Sequence, residues 1–261
     1  MPADARQLRR PETTLKHMLP ASAFQAEIPV VLTATITPQV TGSVSLNPET
    51  RLAEYRQFLQ FCQQFAPVVF LENSGYPLER HPEFAGSPRL RVHRFAPSAS
   101  PERGKGFQEF EMLDAWLAAE PQPPARWLKI TGRYHLLNLP AILAECRREK
   151  NHLLLIDQIR RQQMARTYLF CASTEFYGAH LKGLYRQCDD RTGDWIERVL
   201  FRELEKLPAG QVRMFKTQPH LRAQSGSTGT VFPAGKFQWF IKQCLRRANC
   251  LVDERYLRYT P

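Results

Sequence analysis

Apolar and polar positions along the chain follow two alternating rhythms. The run IPVVLTATIT at residues 28–37 is continuous and β-branched, the pattern of a strand buried on both faces. Similar short runs recur at 67–72 (PVVFLE), 126–131 (RWLKIT), 152–157 (HLLLID) and 167–173 (TYLFCAS), and 89–95 (RLRVHRF) alternates. Between them the apolar spacing changes to the helical period. Asn47-Pro48 supplies an N-cap and a first-turn proline, and Leu52, Tyr55, Leu59 and Cys62 mark the apolar side that follows. Further helices are predicted over 106–118, from near Asn138, over 174–187 and 193–207, and from Lys236 to Asn249, with a last short strand at VRMFK. Pro121, Pro123 and Pro124 end the helix before the fourth strand.

Strands that alternate with helices predict an α/β fold: a mostly parallel central sheet covered by helices on both faces. We expect a polar arm at residues 1–25 and one domain at 26–261 ending in a basic amphipathic helix. In that helix Phe237, Phe240, Ile241, Cys244, Leu245 and Ala248 share one face, with Lys242, Arg246 and Arg247 largely opposite. Such a helix either closes the fold or docks on an acidic bilayer face. In parallel sheets ligands sit beyond the carboxyl ends of the strands, which directs attention to the loops ENSGY, ERGKGFQE and TGRY.

Composition narrows the picture. The chain has 261 residues, 43% hydrophobic and 23% charged, which excludes a disordered or fibrous chain. Its formal charge of +11 suits an anionic partner or simply maintains solubility. Six cysteines without a C-x-x-C pair read as reduced core thiols, and the scattered histidines offer no zinc motif. The charged N-terminus lacks the apolar stretch of a secretory signal, so the expected location is the cytoplasm, with peripheral contact at the inner membrane as an option.

Several positions carry candidate chemistry. Gly104-Lys105-Gly106 precedes a helix, where backbone amides suit a diphosphate, although such a triplet also serves in ordinary loops. On that helix Phe110, Leu113, Trp116 and Leu117 form the apolar side, and Glu111 and Asp114 lie opposite. Glu109 falls on the apolar side, so it is either paired, faces a cleft or complements the helix dipole. Lys129 shares a strand face with Trp127 and Thr131. A lysine there needs an anion or a carboxylate, and Glu72 and Glu109 are the candidates. Asp194 and Glu197 open the helix whose stripe is Trp195, Ile196, Val199, Leu200 and Leu204. They face a cleft or merely serve the dipole. The loop containing Ser225, Gly226 and Ser227 offers hydroxyls and amides to phosphate or sugar, or is plain solvent loop.

Taken in order, L-T-A-T-I-x-P, E-N-S-G-Y, G-K-G-x-x-E, K-I-T-G-R-Y, D-W-I-E and S-G-S-T-G resemble the glycosyltransferase-like proteins of bacterial surface-polysaccharide and lipopolysaccharide clusters, over roughly residues 28–235. These are distantly similar to the GT-A nucleotide-sugar fold. The resemblance implies a GT-A-like single domain, a nucleotide-sugar donor and a glycan or lipid-linked glycan acceptor. It places Thr33, Thr35 and Thr37 near the nucleotide, Glu72 and Asn73 at base or ribose, and Lys105 and Glu109 beside the donor. Lys129, Thr131, Gly132 and Arg133 stand where such enzymes carry D-x-D, and Asp194 and Glu197 where they carry the acceptor-side acid. No D-x-D occurs in this chain. The expectation is a transferase needing no resident cofactor, in which Lys105, Lys129 and Arg133 replace a motif-bound metal, with Glu197 and then Asp194 as general base. The rival readings are a basic nucleic-acid-binding protein, which lacks any recognisable binding signature, and a non-catalytic nucleotide- or glycan-binding scaffold.

Overall fold

The computed structural model describes residues 24, 26–39, 47–85, 87–208, 210–224, 231–232 and 235–258. The expected arm and the Ser225–Ser227 loop lie outside them. Seven strands form the central sheet: β1 (Val30–Ala34), β2 (Val68–Glu72), β3 (Leu90–Arg94), β4 (Arg126–Thr131), β6 (Leu154–Ile159), β7 (Met164–Ser173) and β8 (Val212–Arg213). Their order is β3-β2-β1-β4-β7-β6-β8. All neighbours run parallel except β7, which is antiparallel to both β4 and β6. A small antiparallel sheet joins β5 (His135–Leu136), β9 (Leu221–Gln224) and β10 (Val231–Phe232).

Side-chain alternation divides the core between the two faces. Val31, Trp127, Ile156 and Phe170 point to one face, covered by α2 (Lys105–Ala119) and α4 (Ile196–Glu205). Val30, Leu32, Leu128 and Ile130 point to the other, covered by α1 (Pro48–Gln63) and α3 (Leu139–Arg148). The α/β class with a mostly parallel, doubly covered sheet is therefore the one the patterning predicts. Asn47 caps α1 as expected, its side chain accepting the Glu49 amide at 2.9 Å.

Three elements differ from expectation. The helix predicted over 174–187 is one α-turn at Thr174–Phe176, a wide π-turn at Tyr177–Leu181 and a 3-10 turn at Leu184–Gln187. Asp114 explains the break. Its carboxylate accepts the Gly183 amide at 2.7 Å and the Tyr177 hydroxyl at 2.8 Å, and Gly183 has φ of +80°. The periodicity had placed Asp114 in solvent. The last predicted strand shortens to two residues, because the chain after Arg213 turns away to donate the Lys216 and Thr217 amides to Glu145.

The third difference is α5 (Lys236–Cys250). It packs on the domain by its polar side. Gln243, Arg246 and Asn249 are buried, whereas Phe237, Phe240, Ile241 and Leu245 are exposed. The expectation that its apolar face closes the fold is corrected. Hydrogen bonds hold the helix instead. Arg246 forms a two-pronged pair with Asp157 of β6, at 2.7 and 2.8 Å, and Gln243 bonds the Gln218 amide and the Lys216 carbonyl. Two of the expected core thiols move with this helix: Cys244 is exposed and Cys250 half-buried, while the other four cysteines are buried and free.

Candidate functional site

The polar centre of the molecule lies at the carboxyl ends of β1 and β4, on the face covered by α2 and α4. β1 and β4 are in register there, Thr33 opposite Thr131. Lys129, two residues earlier on β4, is fully buried. Its ammonium meets Glu109 Oε1 at 2.7 Å, the Thr167 carbonyl of β7 at 2.7 Å and Thr131 Oγ1 at 2.9 Å. All three ammonium donors are thus satisfied, as a buried cation requires. Its sequence-predicted partner is Glu109 and not Glu72. Glu109 stands in the second turn of α2, and the same Oε1 also accepts the hydroxyls of Thr33 and, at 3.0 Å, Thr131.

Glu197 completes this line from the other helix. Thr167 Oγ1 donates to its Oε1 at 3.0 Å. Burial raises the Glu197 pKa, and the negative charge of Glu109 adds to the rise. Hydrogen bonds and the Lys129 ammonium offset it in part. Burial likewise lowers the Lys129 pKa, opposed by Glu109 and Glu197. The Lys129 ammonium thus feels two carboxylates, Glu109 directly and Glu197 across Thr167. Tyr134, which stacks on Tyr168 with centroids 5.4 Å apart, feels the same two charges. Tyr134 has its pKa raised by burial, then by Glu109 and Glu197, while Arg133 lowers it.

A cationic patch adjoins the cluster. Burial lowers the Lys105 pKa, and the charges of Arg51 and Arg133 lower it further, against Asp190. Arg51 holds the Thr35 carbonyl through Nε at 2.9 Å and Nη2 at 2.5 Å, and Arg133 Nε pairs with Glu54 at 2.7 Å. Three cations therefore share one electrostatic neighbourhood at the end of β1 and the start of α2.

The remaining candidates fall outside this centre. Asp194 is held in an exposed pair with Arg202 at 2.8 Å, which lowers its pKa and makes it a weak base. Glu72 is fully buried and laces two strand ends together through the amides of Ile36 and Ser74. Asn73 accepts the Thr35 hydroxyl at 2.7 Å, and Thr37 donates its amide to Ser74. The Lys105 amide, expected to face a diphosphate, is instead taken by Asp190. Gly104 and Gly106 have a packing reason. A Cβ on Gly104 would lie 2.0 Å from Asp190, and one on Gly106 would lie 2.2 Å from Ile196. Gly132 donates its amide to Thr33 at 2.9 Å, against the Tyr55 ring.

Sequence reasoning missed Thr167, Arg51 and the Tyr134–Tyr168 pair. The position of Thr167 at the head of an apolar run is a faint signal, and Arg51 looks like a solvated helix residue. Among the described residues no group of three or more His, Cys, Asp or Glu side chains is placed to hold a metal ion.

No family model matches the chain, and no curated protein matches it. Solved structures do resemble it. The 4-diphosphocytidyl-2C-methyl-D-erythritol synthase of Anaerococcus prevotii superposes over 88% of this chain and all of its own, at 8% identity and a TM-score of 0.45. The inositol-1-phosphate CTP transferase of T. maritima covers 73% of this chain and 85% of its own, at 12% identity and 0.43. A cytidylyltransferase from Leptospira borgpetersenii covers 72% and 75%, at 13% and 0.42. A likeness of this degree assigns no substrate, so the chemistry must come from the side chains themselves.

Proposed function

We propose that the protein is a glycosyltransferase that moves a sugar from a nucleotide-sugar donor to a bacterial surface-glycan acceptor, without a motif-bound metal. The observations that carry this reading are the Glu109–Lys129 ion pair, linked to Glu197 through Thr167, and the mutually interacting charges of Arg51, Lys105 and Arg133, of which Lys105 opens the helix that carries Glu109. Such an arrangement separates two tasks that glycosyl transfer needs. The cations face the donor diphosphate and stabilise the charge it gains as its bond to the anomeric carbon breaks. Glu197 takes the proton of the acceptor hydroxyl as that oxygen bonds to the anomeric carbon. Lys129 and Glu109 hold position through Thr33, Thr131 and Thr167. Nucleic acid is not the expected partner, because the chain carries no recognisable nucleic-acid-binding signature.

The test is nucleotide release and thermal stabilisation across UDP-, GDP- and CMP-sugars, with and without chelator. Stabilisation by one donor, and turnover that survives chelation, support the reading. Complete dependence on added metal refutes the cationic mechanism. Pyrophosphate release from CTP and a sugar phosphate would replace glycosyl transfer by nucleotidyl transfer. Glu197→Gln is expected to keep donor binding and lose about 10²-fold or more in kcat. Because burial raises the Glu197 pKa, the wild-type rate rises with pH through a value higher than that of a free glutamate. That acid limb disappears in the variant. Unchanged turnover in Glu197→Gln removes this carboxylate from the mechanism.

A further inference from the structure

We propose that α5 is a membrane-docking helix that lies flat on an anionic bilayer surface. The inference does not depend on the proposed activity. Its basis is the orientation of the helix. A surface helix ordinarily buries its apolar stripe and exposes its polar one. α5 does the reverse. Phe237 is 76% exposed, Phe240 59%, Leu245 50% and Ile241 44%, and the stripe continues into Leu251 and Val252, at 89% and 67%. At about 100° per residue these α5 side chains fall on one side of the helix.

The inward side accounts for the orientation. Arg246 is fully buried, with Asp157, Gln218 and the Phe215 carbonyl as its partners. Trp239 Nε1 donates to the Gln218 carbonyl at 2.8 Å, and Asn249 donates to the Asp253 and Tyr256 carbonyls. Turning the helix over would strand every one of these groups, so the apolar side is fixed outward.

Charge identifies the occupant. The segment KFQWFIKQCLRRANC contains no carboxylate. Arg246 is neutralised internally, while Lys236 and Arg247 are exposed and run along one margin of the stripe, beside Phe240. Aromatic and aliphatic side chains bordered by cations match the interfacial region of an anionic bilayer. A second copy would bring the same cations against each other. No helix among the described residues is long and apolar enough to cross a membrane, so the contact is peripheral.

Flotation of the intact protein with mixed phosphatidylcholine–phosphatidylglycerol vesicles tests this. The protein is expected to float with them, to stay behind with pure phosphatidylcholine, and to be released by salt. Phe240→Ser with Leu245→Ser is expected to lower the bound-to-free ratio about tenfold or more, with an unchanged unfolding midpoint because both side chains are exposed. Lys236→Gln with Arg247→Gln is expected to abolish the preference for the anionic vesicles. The proposal is overturned if the protein ignores anionic vesicles, or if the serine variant binds them like wild type. A dimer in sedimentation that the serine variant dissolves would assign the face to a second copy and overturn it equally.

Discussion

Arg246→Ala is expected to destabilise the protein by about 3–5 kcal/mol, the usual cost of removing one partner of a buried ion pair. At this chain length that corresponds to a fall of roughly 6–20 °C in the unfolding midpoint. The cost comes from what remains. Asp157 is almost fully buried and accepts both guanidinium prongs, together with a longer bond from the Phe215 amide. Truncation leaves a carboxylate that water does not reach. Arg246→Lys restores the charge without the two-pronged geometry and is expected to fall between the two. Leucine at both 157 and 246 is expected to recover most of the loss, because the desolvation cost disappears with both charges. Thermal unfolding followed by circular dichroism measures all three. A midpoint in Arg246→Ala within a degree of wild type would mean that α5 is not held by this pair.

Lys129→Met is the second large effect. Methionine fills most of the lysine volume, so the change isolates the charge. The variant is expected to lose about 3–5 kcal/mol at neutral pH, since the half-buried Glu109 and Glu197 then lack the buried cation that they face. The deficit is expected to shrink in acid. Burial already holds the Glu197 pKa above its unfolded value, and loss of the opposing Lys129 charge raises it further. Carboxylates shifted that way favour folding at low pH, and that contribution is lost as pH rises through the folded-state values. Midpoints measured across the acid range check the sign. A deficit independent of pH would reduce the role of Lys129 to packing. Loss of turnover is expected at every pH, because the two carboxylates no longer keep their relative position.

The centre of the fold was legible because burial there is written in side-chain type. β1, β2 and β4 carry unbroken apolar runs, and a lysine inside one of them demands a partner. Glu109, alone among its helix's acids on the apolar side, was one of two candidates, and the structure joins them. What stayed hidden depends on distant chain segments. Thr167 reaches both Lys129 and Glu197 only because β7 runs antiparallel beside β4. Arg246 and Asp157 are 89 residues apart, and nothing local marks the arginine as an inward group. Polarity alone placed it in water, which inverted the orientation of α5. Asp114 misled for the same reason, since its ligands, Tyr177 and Gly183, come from a segment read as a plain helix.

Glu109 Oε1 is gripped by an ammonium and two hydroxyls from β1 and β4. A carboxylate pinned in this way cannot swing to greet an incoming molecule. On the proposed reading a donor would have to adopt the shape that the pinned group dictates, so selectivity at this end of the sheet would belong to rigidity: a poorly shaped guest would find no accommodating rotamer and leave.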